Sequence, residues 1–366
     1  MSQPPALKRP RVALDEDAER KVLLDHPTLY YDDGNVILSS GSTLFRAHKS
    51  ILSKHSPVLR VLFDRREDTK TETLRGCLHV ALDDTKEEVE ALLNVIYDGF
   101  RIDFPELTVV TFPVLANIFR MATKYRIGRA RADILERIKE EWPFDLAKHD
   151  EKQNAKTQAA LRRKQEQQEQ QRQAMAGAPG ALGGAQLDAA ILLEQEELAV
   201  PPAAVITLLR DGGCADKEIL APLFYALSCS TWQLALGALG HRISQLPHAD
   251  IERFITGLEH VRSAFASLAV ASPPLNALQP HQGWESCQNG MLRFRQSSML
   301  SLLLVEHAAT ARRPLEALNA VVALVRQPGH LATYGICAAC ANQVLADLSR
   351  RRSDLWNQMP THFGLV

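Results

Sequence analysis

The sequence predicts a small α+β domain, a sheet packed with helices, followed by an all-α C-terminal domain. Three observations carry this expectation. Short strand-like runs punctuated by turn residues lie between Val36 and Leu82, helical apolar stripes are interleaved with them, and beyond about Leu187 helix follows helix with no strand pattern.

The elements follow in order. Val36-Ile37-Leu38 is an apolar run, Ser40-Gly41-Ser42 supplies turn residues, and Thr43-Leu44-Phe45-Arg46-Ala47 is rich in strand formers, so a hairpin of two strands is expected to open the domain. After His48 the pattern turns helical, with Ile51 and Leu52 on one face. Ser56-Pro57 then starts a second helix, serine capping its N-terminus and proline occupying the first helical position, with Val58, Leu59, Leu62 and Phe63 as its apolar stripe. Leu78–Leu82 alternates as a strand does. Thr85 and Glu88 form a capping box ahead of Val89, Leu92, Leu93 and Ile96, and Tyr97-Asp98-Gly99 ends that helix. Leu115, Ile118, Phe119 and Ala122 mark a further helix that Gly128 should interrupt. Ile134, Leu135 and Ile138 mark the next, which Trp142-Pro143 should stop.

This order resembles the BTB/POZ family, as do the segments Asp33–Leu38, Leu44–Leu52, Ser56–Leu59 and Ile96–Gly99. The chain is similar in particular to BTB proteins abundant in fungi, which share a tail like Trp356, Pro360 and Phe363-Gly364-Leu365. The resemblance implies a BTB/POZ fold and a protein that binds proteins. It also implies a dimer in which an acidic residue before the first apolar run meets a basic residue at the start of the next helix. Those positions match Asn35 and Lys49, so the acidic member is missing unless Asp32 or Asp33 replaces it. In family members that recruit a cullin, an apolar residue two positions before an acid follows the helix that ends here at Phe63. Asp64–Thr69 offers charges at that place, which disfavours a cullin partner because charges do not fill an apolar pocket.

The boundaries expected are a disordered tail over 1–24, the BTB domain over 25–145, a charged Gln-rich and Gly-rich linker over 146–186 and the helical domain over 187–366. From Glu151 to Gln173 the sequence is almost wholly polar, and although helix-favouring it lacks the apolar seam of a coiled coil. In the last domain Ile251, Phe254, Ile255, Leu258, Val261 and Phe265 form the clearest stripe, and no fixed repeat period is present.

Composition bounds the function. A chain of 366 residues with 46% hydrophobic residues buries a substantial core, and a formal net charge of -1 gives no whole-chain argument for binding nucleic acid or anionic membrane. No direct nucleic-acid or membrane partner is expected, and a nuclear or cytoplasmic location follows. Lys8, Arg9 and Arg11 make a nuclear-import candidate or a solvated basic tail. Six scattered cysteines are expected to be reduced thiols.

No enzyme activity is expected. His48 with Ser50 or Ser53 lacks an orienting acid and an oxyanion turn, and no phosphate loop, HExxH or GxSxG occurs. Cys337 and Cys340 have the spacing of two zinc thiolates, but no second such pair completes them, and Cys287 with His281 or His330 are speculative partners. Burial of small thiols in an apolar helix accounts for them, so no metal and no cofactor is expected. Trp232, Trp284 and Trp356, with nearby Phe residues, fit either a docking surface or core, core being the commoner place for aromatics in helical proteins, and the sequence does not separate the two. The function expected is a non-catalytic interaction protein that self-associates and recruits partners. The alternatives are a substrate adaptor of a cullin-type ubiquitin ligase and a nuclear transcriptional regulator with no DNA-reading motif of its own.

Overall fold

A computed structural model of the chain describes residues 22–68, 73–99, 107–175, 200–230, 245–270, 281–300 and 313–366. They fall into two compact units, Met1–Arg101 with Lys124–Ile127, and Ile102–Thr123 with Gly128–Val366.

The first unit is built on the strands β1 (Leu24–Tyr30), β2 (Val36–Ser40), β3 (Thr43–Ala47), β4 (Thr73–Leu74) and β5 (Cys77–Leu82), in the sheet order β1-β3-β2-β5-β4. The helices α1 (Lys49–His55), α2 (Pro57–Asp68) and α3 (Lys86–Tyr97) accompany them. Every residue of β2 is buried, because β2 pairs antiparallel with β3 on one side and parallel with β5 on the other. Phe45, Leu38 and Val80 thereby form one row across three strands, all fully or almost fully buried. On the opposite face Ile37, Leu44 and Cys77 cluster beneath Tyr30 and Leu74. The polar residues of β2 are satisfied across strands: Ser39 Oγ lies 2.9 Å from His79 Nε2, and Ser40 Oγ donates to the Asp84 carbonyl at 2.7 Å.

The caps follow the sequence reading. Ser56 Oγ accepts the Leu59 N–H at 3.0 Å at the start of α2, and Thr85 and Glu88 close both halves of the capping box of α3. Ser56 Oγ also donates to the Tyr125 carbonyl at 2.7 Å. Asp84 receives the Tyr125 hydroxyl and Lys124 Nζ, each at 2.5 Å. These contacts hold Lys124–Ile127 to the sheet unit, and burial first, then the Asp84 carboxylate, push the Tyr125 hydroxyl far above its ordinary pKa.

Three local expectations are corrected. The hairpin does not open the sheet, because β1 precedes it, starting at Leu24 where the tail was expected to end and running parallel to β3. Its Asp25, His26 and Pro27 obscure the strand pattern, and proline is tolerated because β1 is an outer strand. His26 is buried on this strand, its Nδ1 accepting the Leu29 N–H at 3.1 Å while Nε2 approaches Glu90 of α3 at 3.5 Å. The two-residue strand β4 was also missed. It enters β5 through Arg75 and Gly76, both at positive φ (53° and 77°) as a type I′ turn requires. Gly128 does not interrupt a helix but begins one. The turn before it is made by Arg126, at φ 54°.

The second unit carries α4 (Phe112–Lys124, up to Thr123), α5 (Gly128–Glu141) and α6 (Leu146–Met175). It continues with α7 (Pro202–Asp211), α8 (Lys217–Ser228), α9 (His248–Val270), α10 (Trp284–Phe294), α11 (Pro314–Arg326), α12 (Ala338–Asn357) and the short α13 (Met359–His362). No strand occurs among its described residues. On α9 the buried stripe is Phe254, Gly257, Val261 and Phe265, whereas Ile255 faces solvent.

The linker expected from 146 starts, in packing terms, only after Asp150. His149 is buried, and Asp150 forms a bidentate ion pair with Arg352 of α12, whose Nε donates to the Leu315 carbonyl at 2.9 Å. Trp356 donates its indole N–H to the Phe144 carbonyl at 2.5 Å and packs against His149 and Tyr225. Tyr225 in turn donates to Glu316 at 2.6 Å and accepts the Leu315 N–H, and His149 Nε2 lies 3.4 Å from Glu316. Beyond Gln153, the residues of α6 whose side chains are described are exposed as far as Glu169.

Burial favours the neutral form of Glu316, but hydrogen bonds from His149 and Tyr225 outweigh it and hold the carboxyl below its ordinary pKa. A depressed folded-state pKa stabilises the fold above the unfolded value and loses that stability as pH falls through the folded one. Thermal unfolding is therefore expected to show stability falling below about pH 4.5. Glu316→Gln is expected to melt lower at pH 7 and to lose part of this acid dependence. An unchanged acid limb in the variant would contradict this role.

Candidate functional site

Asn35 follows the turn before β2 and is exposed. Its Oδ1 accepts the backbone N–H of Lys49 at 2.8 Å, so its side chain caps the start of α1, where His48 makes no side-chain cap. Within one chain Asn35 and Lys49 are thus joined through the Lys49 backbone N–H. Lys49 Nζ lies 3.6 Å from Asp64 of α2. Asp33 lies 3.1 Å from His48 Nε2, and the hydrogen bond from His48 is the main cause of its lowered pKa. The charged stretch where a cullin-contacting apolar residue would be required begins with this same Asp64.

His48 is fully engaged by structural contacts. Its backbone N–H donates to the Tyr97 hydroxyl at 2.9 Å, its Nδ1 lies 2.9 Å from the same oxygen, and Tyr31 stacks on Tyr97 with centroids 4.6 Å apart. Both ring nitrogens are occupied by Tyr97 and Asp33, so neither serves Ser50 or Ser53. Burial raises the pKa of Tyr97, which keeps its hydroxyl protonated. The arrangement locks the start of α1 to the end of α3.

In the second unit the premise behind the expected absence of metal is corrected. Cys337 and Cys340 do have two further donors beside them: His281, Cys287, Cys337 and Cys340 place their ligand atoms within 4.8 Å of one another. Two segments converge there, the start of α10 and the start of α12. His330 is not among them; it packs against Phe294 and Tyr334. His281 and Cys287 carry no standard ligand spacing with respect to Cys337, and only the fold unites them.

Trp284 is half-buried beside His281 and Trp356 is core. Lys8, Arg9, Arg11 and Trp232 lie outside the described residues. No helix among the described residues is long and apolar enough to cross a membrane.

A mixed sheet with a doubly buried central strand, helices α1 to α3 and an Asn35-capped α1 is the arrangement found over residues 30–135, which match the family model of the BTB/POZ domain. This part of the chain is a BTB/POZ domain, a protein-interaction module of a generally non-enzymatic kind. No curated protein and no solved structure matches the chain.

Asn35→Ala removes the acceptor at the start of α1 and is expected to cost about 1 kcal/mol in chemical unfolding. Asn35→Asp keeps the acceptor and places negative charge at the helix N-terminus, so it is expected to be neutral or stabilising. Equal losses in both variants would mean that the side chain does not cap α1.

Proposed function

We propose that this chain is a non-catalytic interaction protein whose BTB domain joins two copies and presents the pair to further protein partners. The observation that carries the reading is the outer strand β1. Among the described residues it is hydrogen-bonded on one side, to β3, and it is approached by exposed apolar residues, Val22 at 73% and Leu24 at 61% exposure. An outer strand of this kind offers backbone donors and acceptors to another chain, and contiguous apolar side chains beside it favour the loss of water on pairing. A second copy presents the same surface, and a closed two-fold dimer is the commonest way to cover such a surface.

Light scattering on the full chain, at concentrations on the order of tens of micromolar, is expected to give twice the chain mass. Val22→Lys combined with Leu24→Lys is expected to shift the protein to monomer while leaving its far-UV circular dichroism unchanged. A monomeric wild-type chain under the same conditions, or a dimer indifferent to the double substitution, would overturn the reading.

A further inference from the structure

We propose that His281 Nε2 and the Sγ atoms of Cys287, Cys337 and Cys340 bind one zinc ion in a closed tetrahedral site that staples the start of α10 to the start of α12. Three thiolates and one imidazole are a standard donor set for structural zinc. Zinc–sulfur bonds of about 2.3 Å and zinc–nitrogen bonds of about 2.0–2.1 Å put neighbouring donors of a tetrahedron about 3.5–3.8 Å apart. His281 Nε2 lies 3.2 Å from Cys340 Sγ and 3.7 Å from Cys337 Sγ, with all four donors within 4.8 Å of one another. That spacing surrounds a single ion. It is too compact for a two-iron cluster, whose ligands sit on opposite irons.

The imidazole is set in the tautomer a metal needs. His281 Nδ1 lies 2.9 Å from the Gln282 carbonyl. A carbonyl oxygen only accepts, so Nδ1 carries the ring proton and the bare lone pair of Nε2 points at the sulfurs. The sulfurs are likewise supplied with donors suited to thiolates. The Cys337 N–H donates to Cys287 Sγ at 3.3 Å, and the Cys340 N–H donates to Cys337 Sγ at 3.5 Å, Cys337 being the N-cap of a 20-residue helix whose positive end faces the site.

The backbone around the donors is shaped for close approach. Gly283, at φ 89°, turns the chain so that His281 and Cys287 face the same point. Gly290 lies so near the segment before Cys337 that a Cβ there would stand 2.2 Å from the Tyr334 carbonyl oxygen. Arg293 also donates to that oxygen, at 2.9 Å. Four protein donors leave no coordination position for substrate, so the ion's role is to hold segments that 49 intervening residues separate between Cys287 and Cys337.

The test uses the full chain, expressed in zinc-containing medium and purified reduced without chelator. Elemental analysis is expected to give about one zinc per chain. X-ray absorption at the zinc edge is expected to show three sulfurs and one nitrogen, a measurement on the unmutated chain that does not depend on any variant folding. Cys287→Ser and His281→Ala are expected to lose the ion, while Cys214→Ser, a buried thiol elsewhere, keeps it. A chain that is metal-free and fails to take up added Zn²⁺, zinc with a different donor count, zinc retained by both ligand variants, or a disulfide among the three cysteines in reduced protein would each overturn the proposal.

Discussion

The BTB domain depends on the burial of β2 between two neighbouring strands. With β3 on one side and β5 on the other, Val36–Ser40 has no free edge, and its period-two alternation must satisfy both faces at once. A slip of one residue would exchange Leu38, in the row Phe45–Leu38–Val80, with Ile37 or Ser39 and break both faces together. The caps of α1, α2 and α3 then fix where each helix leaves the sheet. Two of these caps reach across the unit: Ser56 also holds Tyr125, and the Asn35 amide fastens α1 to the turn before β2.

The C-terminal unit has no sheet to set its register and relies on polar anchors set among apolar surfaces. Arg352 is buried, yet its guanidinium is spent on Asp150 and the Leu315 carbonyl. Losing either partner would strand a charge, a cost of several kcal/mol, so the pair selects one arrangement of α6, α11 and α12. Trp356 and Tyr225 work in the same way, each placing a large apolar body in the core while its polar atom finds a fixed acceptor. The four metal-type donors at the other end of α12 repeat that logic with sulfur and imidazole. Their geometry is set by backbone turns at Gly283 and by the close approach at Gly290.

The legible parts of the sequence were those governed by local rules. The Thr85–Glu88 box, the Ser56-Pro57 start and the alternation of Leu78–Leu82 were readable because their causes lie within a few residues. β1 was not, since Asp25, His26 and Pro27 favour a strand only when an outer position and the His26 contact with Glu90 are supplied by the fold. Arg126 hid for the same reason, being a non-glycine residue in a left-handed turn two positions before a glycine that is helical. The packing of His149 and Asp150 was not legible because they sit in a polar run, and their contacts with Glu316 and Arg352 come from far along the chain. Cys337 and Cys340 were visible as a pair, but the convergence of His281 and Cys287 on them is long-range and follows no fixed spacing.

The central claim, that the BTB domain works by presenting β1 to a second copy, is tested most directly by amide hydrogen exchange of the full chain over a dilution series. The account predicts that amides of Leu24–Tyr30 gain protection as concentration rises while those of β2, already paired on both sides, stay unchanged. Protection of β1 that stays independent of concentration while light scattering shows the dimer dissociating over the same series would contradict it and place the interface elsewhere.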